Sequence, residues 1–69
     1  MKLSARNQLK GTVVAIERGA VNAIVKLDIG GGNILTSSIT VAAVDELGLE
    51  VGKEAIAVVK ASSVMVGVE

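Results

Sequence analysis

The sequence contains no cysteine, histidine, proline, phenylalanine, tyrosine or tryptophan. Each absence removes a possibility. Without cysteine there is no disulfide to brace a small fold. Without histidine or cysteine the usual nitrogen and sulfur ligands of a transition metal are missing. The same gap removes the commonest general base and the commonest thiol nucleophile. Without aromatics a core must be assembled from Val, Ile, Leu, Ala and Met, which bury less area per residue. Seven basic and seven acidic residues cancel to a net charge of zero. A neutral chain has no bulk electrostatic attraction to nucleic acid or to an anionic membrane. No apolar run approaches the ~18 residues of a membrane span. Met1-Lys2-Leu3 is not followed by the apolar core and cleavage site of a signal peptide, so a cytoplasmic location is expected.

What remains is a 69-residue chain, 51% apolar and rich in Val, Ala, Ile and Gly. One small domain, residues 1–69, is the most this length supports. Such a chain buries only about 60% of its unfolded surface by itself. With neither disulfides nor metal to compensate, further stability has to come from burial against other chains. An oligomer is therefore expected on composition alone.

Local patterns predict mostly strands. Leu9–Ile16 is rich in β-branched residues and lacks a helix cap. Glu17-Arg18-Gly19 reads as a turn, with Gly19 available for positive φ. In Ala20–Ile29, positions Val21, Ala23, Val25, Leu27 and Ile29 share one face, with Asn22, Lys26 and Asp28 opposite. This period of two predicts a half-buried antiparallel strand. Gly30-Gly31-Gly32-Asn33 then reads as a hairpin loop; a phosphate-binding loop would need a following helix and a Lys-Ser/Thr pair. Ile34–Ile39 is the third strand. Thr40 is a good N-cap for a short helix with Val41 and Val44 on its inner face, closed by Gly48. Glu54–Lys60 is the fourth strand, Ala61-Ser62-Ser63 a break, and Val64–Val68 a fifth strand. Three strands, a helix and two strands are the element order of an all-β, five-stranded OB-like Greek-key barrel. Val13-Val14, Val58-Val59 and Val64-Met65-Val66 lack polar alternation. A small barrel has one interior, so their second face calls for cover by strand surfaces of other copies.

The acids give no catalytic constellation. Most fall in turns or on the helix, where solvated charge is the ordinary reading, and Asp45-Glu46 are adjacent on a helix and so diverge. An enzyme is not expected. Among the bases, Arg6 and Lys60 differ in their company. Arg6 lies in Ser4-Ala5-Arg6, and Lys60 opens Lys60-Ala61-Ser62-Ser63. Fixed positive charge, hydroxyl donors and small side chains that admit a ligand to the backbone are the makings of an anion pocket. Two cations suit a dianion.

SARNQLKG near the start, SITVAAVDELGL in the middle and VVKASSVMVGV near the end, in that order, resemble the molbindins. These are small cytoplasmic Mop-type molybdate-binding proteins, whose module also resembles domains of molybdate-responsive regulators and transporter ATPases. The resemblance covers the whole chain. It implies a hexamer, a trimer of dimers, that holds molybdate, or tungstate as a near-isostere, between subunits, without an organic cofactor and without direct metal coordination by the protein. By the same resemblance, Ser4, Ala5, Arg6, Lys60, Ala61 and Ser62 form one class of oxyanion site, with Thr40 supplied by a neighbouring chain. A second class falls at Gly19 and Ala20, where a plain hairpin turn is the competing reading. Two alternatives set aside the resemblance. A nucleic-acid-binding OB module would require stacking aromatics and a basic groove. A ligand-free oligomerisation barrel would require neither.

Overall fold

A computed structural model describes all 69 residues. Four strands, β1 (Asn7–Arg18), β2 (Asn22–Asp28), β3 (Ile34–Thr40) and β4 (Glu54–Val59), form one antiparallel sheet in the order β3-β2-β1-β4. It curls into a half-barrel, with one helix, α1 (Val41–Leu47), between β3 and β4. A single 3₁₀ turn, Ala61–Ser63, follows β4.

The period-two reading of the second strand holds for its middle, while Val21, expected on the same face, is exposed and lies before the strand begins. Ala23, Val25 and Leu27 are buried and alternate with less buried positions. They meet Val13 of β1, Ala57 of β4 and Val44 of α1 to make the whole buried core. The helix also follows expectation: the Thr40 hydroxyl oxygen accepts from the Ala43 N–H at 3.0 Å. Gly48 takes the left-handed conformation, at φ 63°, and Leu49 N–H returns to the Val44 carbonyl at 3.1 Å. That is a cap at each end for a helix too short to persist by propensity alone.

β1 is longer at both ends than its apolar run. Glu17 and Arg18, expected in a turn, pair with Ile24 and Ala23, while Asn7 and Gln8 pair with Val59 and Val58. Pairing on both flanks extends the strand beyond what its own side chains signal. The register shifts between Val13 and Ala15, leaving Val14 as a bulge. A bulge bends a strand and increases its twist. Here β1 faces β4 with its first half and β2 with its second. Gly11 serves the same coiling: a Cβ there would sit 2.7 Å from the Asp28 carbonyl oxygen. Gly19 does not have positive φ, contrary to expectation. Its need for glycine is space, since a Cβ would lie 2.9 Å from the Asn22 carbonyl oxygen.

The expected fifth strand does not form within the chain. Val64–Val68 makes no ladder, and the sheet stops at four strands. The five-stranded closed barrel is corrected to a four-stranded open one, because β strands need a partner edge and this segment meets none in its own chain.

Candidate functional site

Strand β1 and strand β4 run antiparallel, and their last registered pair is Asn7 with Val59. The residues one step beyond are Arg6 and Lys60. The pairing therefore sets Ser4-Ala5-Arg6 beside Lys60-Ala61-Ser62 at one end of the ladder, although 52 residues of chain separate Asn7 from Val59. Two side chains hold this corner. Asn7 Nδ2 donates to the Val59 carbonyl at 3.3 Å, and Gln8 Nε2 donates to the Ala5 carbonyl at 3.1 Å. Neither was singled out by residue chemistry. Both are amides at the start of β1, the first of them next to Arg6, and that is the only sequence signal they carry.

The corner is rich in donors. Arg6 and Lys60 are exposed. Neither joins an ion pair: the two in the protein are Arg18 Nη1 with Asp45 Oδ1 at 3.0 Å and Lys53 Nζ with Glu50 Oε2 at 2.8 Å. The N–H groups of Ala5, Arg6, Ala61 and Ser62 have no acceptor within the chain, and the hydroxyls of Ser4 and Ser62 are likewise unengaged. Two cationic side chains, two hydroxyls and backbone N–H groups without an acceptor in the chain thus lie on the two segments that leave this end of the ladder. Such a set binds an oxygen-rich anion.

Thr40 is not at this corner in its own chain. It pairs with Asn22, and Val41 N–H donates to the Val21 carbonyl at 2.8 Å. That places Thr40 at the far end of the sheet, beside the β1–β2 turn. The capping bond uses the Thr40 oxygen as acceptor, which leaves its proton free to donate. Gly19 and Ala20 lie in that same turn, closed by Gly19 N–H to the Asn22 carbonyl at 2.8 Å. The Ala20 and Val21 N–H groups make no bond within the chain.

Elsewhere the surface offers little chemistry. No group of three or more His, Cys, Asp or Glu residues is placed to hold a metal ion. One cleft, of about 650 Å³, is mostly apolar. It opens between β3 and β4, lined by Leu35, Ile39, Ala55 and Ala57 among others, with Lys10 and Glu54 as its charged residues. No helix is long and apolar enough to cross a membrane.

Comparison with known proteins identifies the family. The TOBE domain model matches residues 3–66. The chain is 72% identical over 69 residues to a probable molybdenum-pterin-binding protein of Haemophilus influenzae, covering all of both chains. Its fold matches MopII from Clostridium pasteurianum with a TM-score of 0.90 at 51% identity, over 97% of this chain and 100% of that one. It also matches the cytoplasmic molybdate-binding protein ModG, in a crystal form with molybdate bound. There the TM-score is 0.94 at 56% identity, and the present chain spans 49% of ModG's length. Full-length agreement in sequence and fold settles the family: the chain belongs to the TOBE-domain proteins, with Mop-type relatives.

Proposed function

We propose that this protein binds molybdate, with tungstate as a near-isosteric competitor, at sites between subunits of a homo-oligomer. Its role is storage and homeostasis of the oxyanion in the cytoplasm. The observation that supports the reading is the β1–β4 register, whose last pair, Asn7 with Val59, leaves Ser4-Ala5-Arg6 and Lys60-Ala61-Ser62 continuing from adjacent strand ends, with the Ala5, Arg6, Ala61 and Ser62 N–H groups unengaged in the chain. Relatives named for molybdenum-pterin binding and a molybdate-bound ModG support the choice of ion.

The division of labour follows from residue chemistry. Arg6 and Lys60 balance the two negative charges. Ser4 and Ser62 donate hydroxyl hydrogen bonds, and Ala5 and Ala61 offer backbone N–H groups at positions small enough for close approach. Thr40 lies at the other end of its own sheet, so it joins the pocket from a neighbouring chain. The protein does no covalent chemistry on the ion; it is a binding module and not an enzyme. A tetrahedral dianion in a fixed set of donors is selected by size, so sulfate and phosphate bind less well. A hexamer built as a trimer of dimers would place several such sites per assembly. The turn at Gly19 and Ala20, where the Ala20 N–H makes no bond within the chain, would provide a second, backbone-made site class.

Isothermal titration with molybdate tests the proposal, with sulfate as the control ion. Saturable heat with molybdate and little with sulfate is the expected result. An absence of both heat and thermal stabilisation at millimolar molybdate would refute it.

A further inference from the structure

The anion corner is organised by where its carbonyls are held. A trans peptide keeps its C=O and its N–H on opposite sides. A carbonyl tied back into the protein therefore turns the N–H of the next residue the other way. Three of the four unengaged N–H groups of the corner belong to peptides of this kind. The Ala5 carbonyl accepts from Gln8 Nε2 at 3.1 Å, and the same peptide carries the Arg6 N–H. The Lys60 carbonyl accepts from the Ser63 N–H at 2.9 Å, and its peptide carries the Ala61 N–H. The Ala61 carbonyl accepts from the Val64 N–H at 3.2 Å, and its peptide carries the Ser62 N–H. The fourth N–H, of Ala5, follows the Ser4 carbonyl, which has no donor in the chain.

The same three bonds withdraw acceptors. Arg6 and Lys60 side chains hold donors only, and neither Ser4-Ala5-Arg6 nor Lys60-Ala61-Ser62 contains a carboxylate. A serine hydroxyl that donates to an ion turns its proton, and not a lone pair, toward it. The corner thus offers many protons to a ligand and few lone pairs. That balance matters for which anions it admits, because a ligand that brings its own proton needs an acceptor to receive it.

Of the three tied carbonyls, two are held by the backbone of the 3₁₀ turn and one by a side chain. That side chain is Gln8. Its backbone sits in β1, in register with Val58, so the amide reaches back to Ala5 from a fixed platform. Gln8 is exposed, and the bond to Ala5 is the only hydrogen bond its side chain makes. The fold does not need this amide for its core; what the amide does is set the Ala5–Arg6 peptide.

We propose, on the basis of the anion-binding reading above, that Gln8 is a specificity-determining residue of this corner. By holding the Ala5 carbonyl it presents the Arg6 N–H to the ion and withdraws the one backbone acceptor that a side chain controls. The corner then discriminates by protonation as well as by size. Molybdate, tungstate and sulfate carry no proton at neutral pH, so every oxygen can accept. Phosphate keeps at least one P–OH, and a proton set against donors is left unpaired at a cost. Sulfate is disfavoured by its size alone, and hydrogenphosphate by its size and its proton.

Titrations with molybdate, and competition against it by sulfate and by phosphate, compare the wild type with Gln8→Leu. Mildly alkaline pH makes phosphate a dianion with one proton, so all three ions carry equal charge. Leucine keeps the bulk of Gln8 and removes its donor. Molybdate and sulfate affinity should each fall about fivefold to tenfold, the contribution of one hydrogen bond. Phosphate affinity should hold or rise, because the released Ala5 carbonyl can turn to accept its proton. The molybdate-to-phosphate ratio therefore falls while the molybdate-to-sulfate ratio stays. A proportional loss for all three ions, as from a merely structural role, or affinities equal to wild type, overturns the inference and leaves the binding reading standing. A wild type that binds no molybdate overturns both. Amide NMR on the wild type gives a measurement that does not depend on the variant folding. The Arg6 N–H resonance should move downfield when molybdate saturates the protein. An Arg6 amide that does not respond overturns the inference.

Discussion

The Asn7 amide donates to the Val59 carbonyl at 3.3 Å, and the same two residues form the last registered pair of β1 with β4. This doubled connection fixes what lies one step further out. Arg6 and Lys60 are the residues that follow this pair at the two adjacent strand ends, which is the basis for assigning both to one anion site.

Removing either charge should weaken molybdate binding substantially while leaving the fold intact. A charge-assisted contact is worth about 1.5–3 kcal/mol, which corresponds to roughly tenfold to 150-fold in affinity. Arg6→Ala and Lys60→Ala should each show that loss by titration calorimetry, and because they share one ion their effects should not add. Unchanged affinity in both variants would move the site elsewhere.

Thr40 has two duties that substitution can separate. Thr40→Ala removes the cap to Ala43 and should cost about 1 kcal/mol of stability. Thr40→Asp restores an acceptor for the cap, but it has no proton to donate and it repels a dianion. Its thermal unfolding should stay near the wild type while molybdate binding is lost. Equal binding by Thr40→Asp and wild type would exclude Thr40 from the pocket.

Gly11 is needed for the approach of β1 to the end of β2. A Cβ 2.7 Å from the Asp28 carbonyl oxygen forces backbone to move. Gly11→Ala should destabilise by about 1–3 kcal/mol, read from urea unfolding. Gly67→Ala, where a Cβ meets nothing within the chain, serves as the comparison for a lone chain.

Molybdate and self-association should reinforce one another. If the anion corner is completed by Thr40 of a neighbouring chain, an ion bound there favours the associated state, and by reciprocity association raises ion affinity. Sedimentation at low micromolar protein should show tighter association with molybdate and little change with sulfate. Identical association with and without molybdate would uncouple the two.

A small acid-dependent component of stability should trace to Glu50. The hydrogen bond and charge of Lys53 hold its carboxyl below the usual carboxylate range. A carboxyl depressed by folding contributes above its unfolded pKa and loses that contribution as pH falls through the folded value. Both groups lie at the surface, so salt should suppress the effect. Lys53→Gln should differ from wild type in low-salt unfolding near neutral pH and converge with it in acid.

Much of this protein was legible in its residues. Alternation in Ala20–Ile29 marked the strand that carries half the core, and Thr40 with Gly48 marked both ends of the helix, because caps and period-two burial are local properties. Composition alone called for association: without aromatics, cysteine or a metal, a 69-residue chain cannot cover itself. The candidate cations could also be nominated, since Arg6 and Lys60 stand among hydroxyls and small side chains.

Tertiary structure decided the rest, through interactions between residues distant in sequence. The β1–β4 register set Arg6 beside Lys60 and turned Asn7 and Gln8 into clamps, a role no local pattern encodes. Pairing on two flanks carried β1 through Glu17 and Arg18, which read as turn residues by themselves. Val64–Val68 has strand character in its sequence, yet a strand is completed by its neighbour's hydrogen bonds. Its own sheet supplies none, so residue pattern could name the element but only the fold could show that it stands outside its own barrel.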